Sequence, residues 1–238
     1  MSLHHNPRIV TSGLVLALDA ADINSYPGSG TTWYDLSGNG YTATLNNGAQ
    51  KVGKGISFDG TNDYVNIPTS GDLAVTPTDS FSVEVFFKLI TITEYPDNLY
   101  ASNCTILGRG STNGSHGIGA GKSTDGSLYI QAGSRAGDNL TISTSINSGE
   151  IYHALLTYTP FEQALYVNNS LIDTQDTSAG SSGTFDLSAW NCFGNGAVPG
   201  GNGQYPEGTL YQGRIYNRAL SATEIEQNYL AQKSRFGL

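Results

Sequence analysis

The chain has 238 residues, only 13% of them charged, with 30 glycines and a formal net charge of −9. Phosphate backbones need clustered Lys and Arg, so 11 scattered cations within an acidic total argue against nucleic acid. No stretch reaches the ~20 apolar residues of a membrane helix, the opening MSLHHNPRIV lacks the basic-then-apolar order of a secretory leader, and a hydrophobic content of 38% supports a packed core.

Residues 1–12 are expected to form an N-terminal arm, in which the adjacent His4 and His5 are not expected to bind metal. A strand-length apolar run, GLVLALDA (13–20), opens a single domain spanning 13–238. The stretch SYPGSGTTWYDLSGNGYTATLNNG (25–48) sets one tryptophan among turn formers. Three readings compete for it: a sugar site on Trp33, a calcium loop over 35–39, or turns around one core anchor. GISFDG (55–60) and DYVNI (63–67) flank a turn and read as a hairpin-like pair. FSVEVFFKL (81–89) alternates, with Phe81, Val83, Val85 and Phe87 on one face and Ser82, Glu84, Phe86 and Lys88 on the other. TILGR, SLYIQAG, YHALLTYT and TLYQGRIYN are further strands, and ALYVNN with SLIDTQ forms a tight hairpin through Asn168 and Asn169. About a dozen strands with no helices between them predict an all-β antiparallel two-sheet sandwich. One helix closes the chain. In ALSATEIEQNYLAQKSR, Ser221 is the N-cap, Glu224 completes a capping box, and Ile225 with Tyr229 forms the packing stripe.

Five segments in this order, GLVLALDAAD, SYPGSGTTWYDLSGNGYTATL, ISFDGTNDYV, FSVEVFFKL and RIYNRALSATEIEQNY, resemble the laminin-G-like, concanavalin A-like jelly-roll superfamily. The opening PRIVTSGLVLALDAADINSYPGSGTTW and the close YNRALSATEIEQNYLAQKSRFGL resemble a branch found among structural proteins of tailed bacteriophages. The resemblance implies a jelly roll carried on a virion, as capsid decoration or a tail component, with other virion proteins as partners. Where relatives carry Trp in the VEVW strand, this chain has Phe86, read as a packing change. Trp33 is similar to the family's packing tryptophan, which favours the core-anchor reading.

Hydrolases of this fold need two carboxylates on one strand; Glu84 stands alone and reads as a half-exposed strand residue, so no enzyme is expected. GIGAGKST (117–124) lacks the spacing of a phosphate loop, and His116 and His153 read as loop and strand residues. Asp35 and Asn39 alternate around Ser37 as in an oxygen-rich calcium loop, with turns as the competing reading and no cofactor required. Asp59 and Asp63 in FDGTNDY read first as a turn. Tyr95, Tyr100, Trp190 and Tyr205 lie in or beside Asn- and Gly-rich loops and are the candidates for carbohydrate binding, the alternative function, or for aromatic anchors in self-association. Cys104 and Cys192 are expected as buried small hydrophobes, their pairing left open. The Asn-x-Ser/Thr sequences at Asn103, Asn113, Asn139 and Asn168 are read as chance. The leading expectation is a noncatalytic virion protein.

Overall fold

Strands with one buried face read as alternating apolar and polar residues, and that period runs through most of the chain. A computed structural model describes residues 8–68, 71–73, 79–92, 102–111, 114–134, 142–178, 190–194 and 205–238. The strands begin with β1 (Leu14–Asp19), β2 (Thr32–Tyr34), β3 (Thr42–Asn46), β4 (Gln50–Val52), β5 (Gly55–Asp59) and β6 (Tyr64–Ile67). Then come β7 (Phe81–Ile92), β8 (Ser102–Ser111), β9 (Gly114–Lys122), β10 (Leu128–Ser134) and β11 (Ile142–Ile146). β12 (Ile151–Tyr158), β13 (Glu162–Val167), β14 (Ser170–Asp176), β15 (Trp190–Gly194) and β16 (Pro206–Tyr216) precede α1 (Ala222–Phe236).

The strands form two eight-stranded antiparallel sheets. The first runs β14-β13-β12-β7-β16-β5-β4, with β1 pairing the part of β16 that β5 leaves free. The second runs β11-β10-β9-β8-β15-β6-β3-β2. Inward residues of both sheets, among them Val83, Val85 and Phe87 of β7 and Ile106, Ile118 and Ile130 of the second sheet, join one core. Each such side chain contributes about 1.5–3 kcal/mol by leaving water. The predicted antiparallel sandwich is therefore what forms.

Local chemistry explains the turns. Asn168 and Asn169 take φ of 48° and 67°, the left-handed pair of a type I′ turn, and close the β13–β14 hairpin with Val167 opposite Ser170. The expected β5–β6 hairpin does not form. β5 pairs β16 in the first sheet and β6 pairs β3 and β15 in the second, so the turn between them crosses from one layer to the other. Asp63, buried at that crossing, accepts the Gly48 N–H at 2.6 Å and the Asp59 N–H at 3.0 Å. GIGAGK belongs to β9. A Cβ on Gly117, at φ 134°, would sit 2.4 Å from the Leu107 carbonyl oxygen, so a shift of register in β8 brings backbone too close for any other residue.

Helix α1 starts on the predicted capping box and ends on Gly237 in the left-handed conformation. It lies on the outer face of the first sheet, where Ile225 packs with Val10, Leu155 and Tyr216, and Phe236 meets Phe86 at 5.0 Å between ring centroids. Tyr229 is half-buried beside His153, and Asn228, one of the three residues between the predicted stripe members, is fully buried. Among the described residues no helix is long and apolar enough to cross a membrane.

Candidate functional site

The two sheets differ sharply in charge. Strands of the first carry Asp19, Asp59, Glu84, Glu162, Asp173, Asp176 and Glu207, whereas those of the second contain no Asp or Glu, and Arg109 and Lys122 are their only Lys or Arg. The period of two then decides what the second sheet shows to solvent. Trp33, Ala43, Leu45, Val65 and Ile67 point into the core, which leaves Thr32, Tyr34, Thr42, Thr44, Asn46, Tyr64 and Asn66 on the outer face. Thr32 stands opposite Thr44, and Thr44 opposite Asn66, in one row across three strands; Tyr34 faces Thr42 and Asn46 faces Tyr64. Tyr34 is 46% exposed, and Thr42, Thr44 and Asn66 are exposed. Buried Ser25 fixes the edge: it accepts the Tyr34 N–H at 2.7 Å through its carbonyl and donates its hydroxyl to the Tyr34 carbonyl at 2.6 Å. The result is an aromatic face beside hydroxyl and amide groups that both donate and accept. Register continues from Asn66 through Asn191 to Gly108, Gly117 and Gly133, where the three glycines are buried, so the open part ends near β6.

The outer face of the first sheet is built oppositely. Glu84, expected as a half-exposed strand residue, is fully buried, because α1 covers it. One carboxylate oxygen accepts from His153 Nε2 at 2.9 Å; the other accepts from Asn228 Nδ2 at 2.9 Å and pairs with Arg214 NH1 at 3.1 Å. Burial alone would raise the Glu84 pKa, but Arg214 and His153 overcome it and hold the group down at about 2. Asn228 also donates to the Tyr216 hydroxyl at 2.9 Å and accepts the Val10 N–H at 2.8 Å, tying helix, β7, β16 and residue 10 together. The network continues through Gln212, which receives Arg214 and donates to Asp19 Oδ2 at 2.6 Å, to Arg235 at the helix end. Glu84, His153, Gln212, Arg214 and Asn228 are buried while the Asp19–Arg235 end is partly exposed, and together they hold α1 on the sheet. Sequence reading missed the cluster, since neither Glu84 nor Asn228 betrays a partner 144 residues away.

Residues 59–226 match the laminin G family model described as Concanavalin A-like lectin/glucanases superfamily. The chain belongs to this family. No curated protein matches it. Among solved structures, Trypanosoma rangeli sialidase in complex with 2,3-difluorosialic acid is 19% identical with a TM-score of 0.66, over 92% of this chain and 33% of the sialidase. The binding domain of Paraclostridial Mosquitocidal Protein 1 is 17% identical at TM-score 0.62, over 93% of this chain and 52% of that one. The binding domain of botulinum neurotoxin DC in complex with rat synaptotagmin II is 14% identical at TM-score 0.62, over 94% and 52%. The laminin G-like chain thus spans about one third of the sialidases, and at these identities the likeness is one of fold. It nonetheless corrects the expectation of no enzyme. That expectation rested on missing catalytic patterns, chiefly two acids on one strand, whereas chains of sialidases contain this fold.

Tyr95 and Tyr100 lie outside the described residues, as do His4, His5, Asn113 and Asn139. Trp190 is placed by its backbone in β15, opposite Ile67 and Arg109, and Tyr205 is half-buried just before β16. Asp35 and Asn39 share the loop joining β2 to β3. Asp35 Oδ1 accepts the Ala17 and Ser37 N–H groups at 2.8 Å, and its other oxygen accepts the Ser37 hydroxyl at 2.6 Å. Asn39 donates its amide to the Val15 carbonyl at 2.9 Å. As arranged, the loop offers a cation one carboxylate with both oxygens engaged, and no group of three or more His, Cys, Asp or Glu suited to a metal occurs among the described residues. Cys104 and Cys192 are buried and unpaired, and burial pushes both thiols up, Cys104 to about 12. The row through Thr32, Thr44 and Asn66 went unnoticed in the sequence; its signal was outward alternation around Trp33 and within TATLN.

Proposed function

We propose that this chain is a glycan-recognition domain that engages saccharide hydroxyls on the outer face of β2, β3 and β6. The observation that carries the reading is half-exposed Tyr34 beside the row Thr32–Thr44–Asn66 on a sheet without carboxylates. A sugar ring offers C–H groups to an aromatic face and neutral hydroxyls to Thr and Asn, which is the pairing this surface is equipped to make. Membership of a lectin/glucanase superfamily supports it, as do two structural neighbours that are binding domains. The test is a glycan array with Tyr34→Ala beside the unaltered chain. Binding lost in the variant at unchanged melting temperature is the expected result; a flat array with folded protein overturns the proposal. Chelation with EDTA is expected to leave binding unchanged.

A second reading concerns where the domain works. Both ends of the chain carry the bacteriophage resemblance, and they are bonded to each other: Val10 N–H to Asn228, and Gln227 Nε2 to the Arg8 carbonyl at 2.6 Å. On the strength of that resemblance we propose that the domain works on a virion, as capsid decoration ahead of a tail component, with neighbouring virion proteins as partners. Mass spectrometry and labelling of purified particles test it, and absence from particles ends it.

A further inference from the structure

We infer that the surface around Tyr34 takes the short end of an uncharged glycan, one or two sugar residues, rather than the interior of a long chain or an acidic glycan. This rests on the glycan reading above. Its first ground is size. From β2 to β6 the row crosses two strand spacings, about 10 Å, and from Thr42 to Asn46 along β3 it runs about 14 Å. Its second ground is that the surface is bounded. Beyond β6 the register passes through Asn191 to buried Gly108 and Gly117; past Tyr34 and Thr42 it meets the loop closed by the Asp35 N–H on the Tyr41 carbonyl; and the free edge of β2 is held by Ser25. A long chain running past β6, past Tyr34 or off the edge of β2 would leave this surface within a few residues.

The third ground is charge. Described side chains on this face are hydroxyl, amide or phenol, all suited to neutral hydroxyls. The acids nearest in the chain are Asp35, which follows Tyr34, and Asp63, which precedes Tyr64, within a protein of net charge −9. An anionic sugar would find no cation on β2, β3 or β6 to pair with, within a protein whose net charge is already negative. The sialidase likeness therefore does not extend to ligand charge on this face.

Isothermal titration of the full chain decides it, using glucose- and galactose-based mono-, di-, tetra- and hexasaccharides, and 3′-sialyllactose beside lactose at low salt. Affinity is expected to rise about tenfold from mono- to disaccharide and then stay level, with sialyllactose weaker than lactose. Asn66→Ala, at an exposed position, is expected to lose roughly three- to tenfold, the worth of one neutral hydrogen bond, while Thr174→Ala on exposed β14 changes nothing. Affinity climbing through the hexasaccharide, or sialyllactose binding more tightly than lactose, overturns the inference and leaves glycan recognition standing. Silence toward every neutral saccharide defeats the glycan reading itself.

Discussion

Replacing Glu84 with alanine is the sharpest perturbation the fold allows. The carboxylate is fully buried and meets three partners, His153, Asn228 and Arg214, and the Arg214 side chain is itself 5% exposed. Removing one member of a buried pair strands the other charge, which costs about 3–5 kcal/mol. The summed hydrogen bonds would suggest more, but they share one acceptor group and do not add. An unfolding free energy lower by about 4 kcal/mol corresponds, for a chain of this size, to a melting point lower by about 8–16 °C. Glu84→Gln should lose nearly as much, because it too leaves Arg214 uncompensated. The double replacement Glu84→Leu with Arg214→Met should recover most of the loss, since an apolar pair has no charge to desolvate. Urea titration followed by tryptophan fluorescence measures all three. A cost below about 1 kcal/mol for Glu84→Ala would refute the argument that this carboxylate fastens the helix.

Acid should act on the same group. The folded pKa of Glu84 lies at about 2 against 4.5 for the free side chain, so the unfolded state binds more protons between those values and stability falls as pH drops through them. Wild-type protein is expected to lose about 3 kcal/mol across that window, with Glu84→Gln showing a flatter profile; parallel profiles would exclude Glu84 as the source. Gly117→Ala, forced against the Leu107 carbonyl, should destabilise by at least about 2 kcal/mol in thermal melts, whereas a neutral result would mean β8 can shift. Ser221→Ala should cost about 1 kcal/mol, and because Glu224 keeps Arg218 through two contacts, at 2.7 and 2.9 Å, helix content by circular dichroism should survive.

Much of the scaffold was legible because its signals are local. The alternation of β7, the Asn-Asn turn between β13 and β14, the cap at Ser221 and the buried Trp33 all depend on residues within a few positions of each other. What stayed hidden depends on pairing at a distance. GISFDG and DYVNI look like a hairpin in one dimension, and only the competing partners β16 and β3 pull them into different layers. Glu84 reads as a surface residue until a helix nearly at the other end of the chain is laid over it. The candidate site suffers the same blindness. Thr44 and Asn66 sit far apart in sequence, and no period of two along either strand says they will face each other. Aromatics in glycine-rich loops stand out instead, because their chemistry is visible without knowing the fold.

The contrast between the two outer faces follows from how each is covered. A helix laid on the first sheet hides whatever lies beneath it, and a buried charge persists only when paired. The acids and cations there accordingly lock against one another, Glu84 with Arg214 and Asp19 with Arg235, and their pairing selects one docking position for α1. Among the described residues no helix covers β2, β3 and β6 of the second sheet. Charges there would meet water and salt, and would bias any ligand by its sign; hydroxyls and amides leave selection to shape and hydrogen bonding. A domain that fastens residues 8–10 and α1 on one sheet leaves the uncharged outer face of β2, β3 and β6 on the other sheet free for the proposed saccharide. Changes at Asn228 should therefore loosen the termini without altering saccharide affinity, and changes at Asn66 should do the reverse.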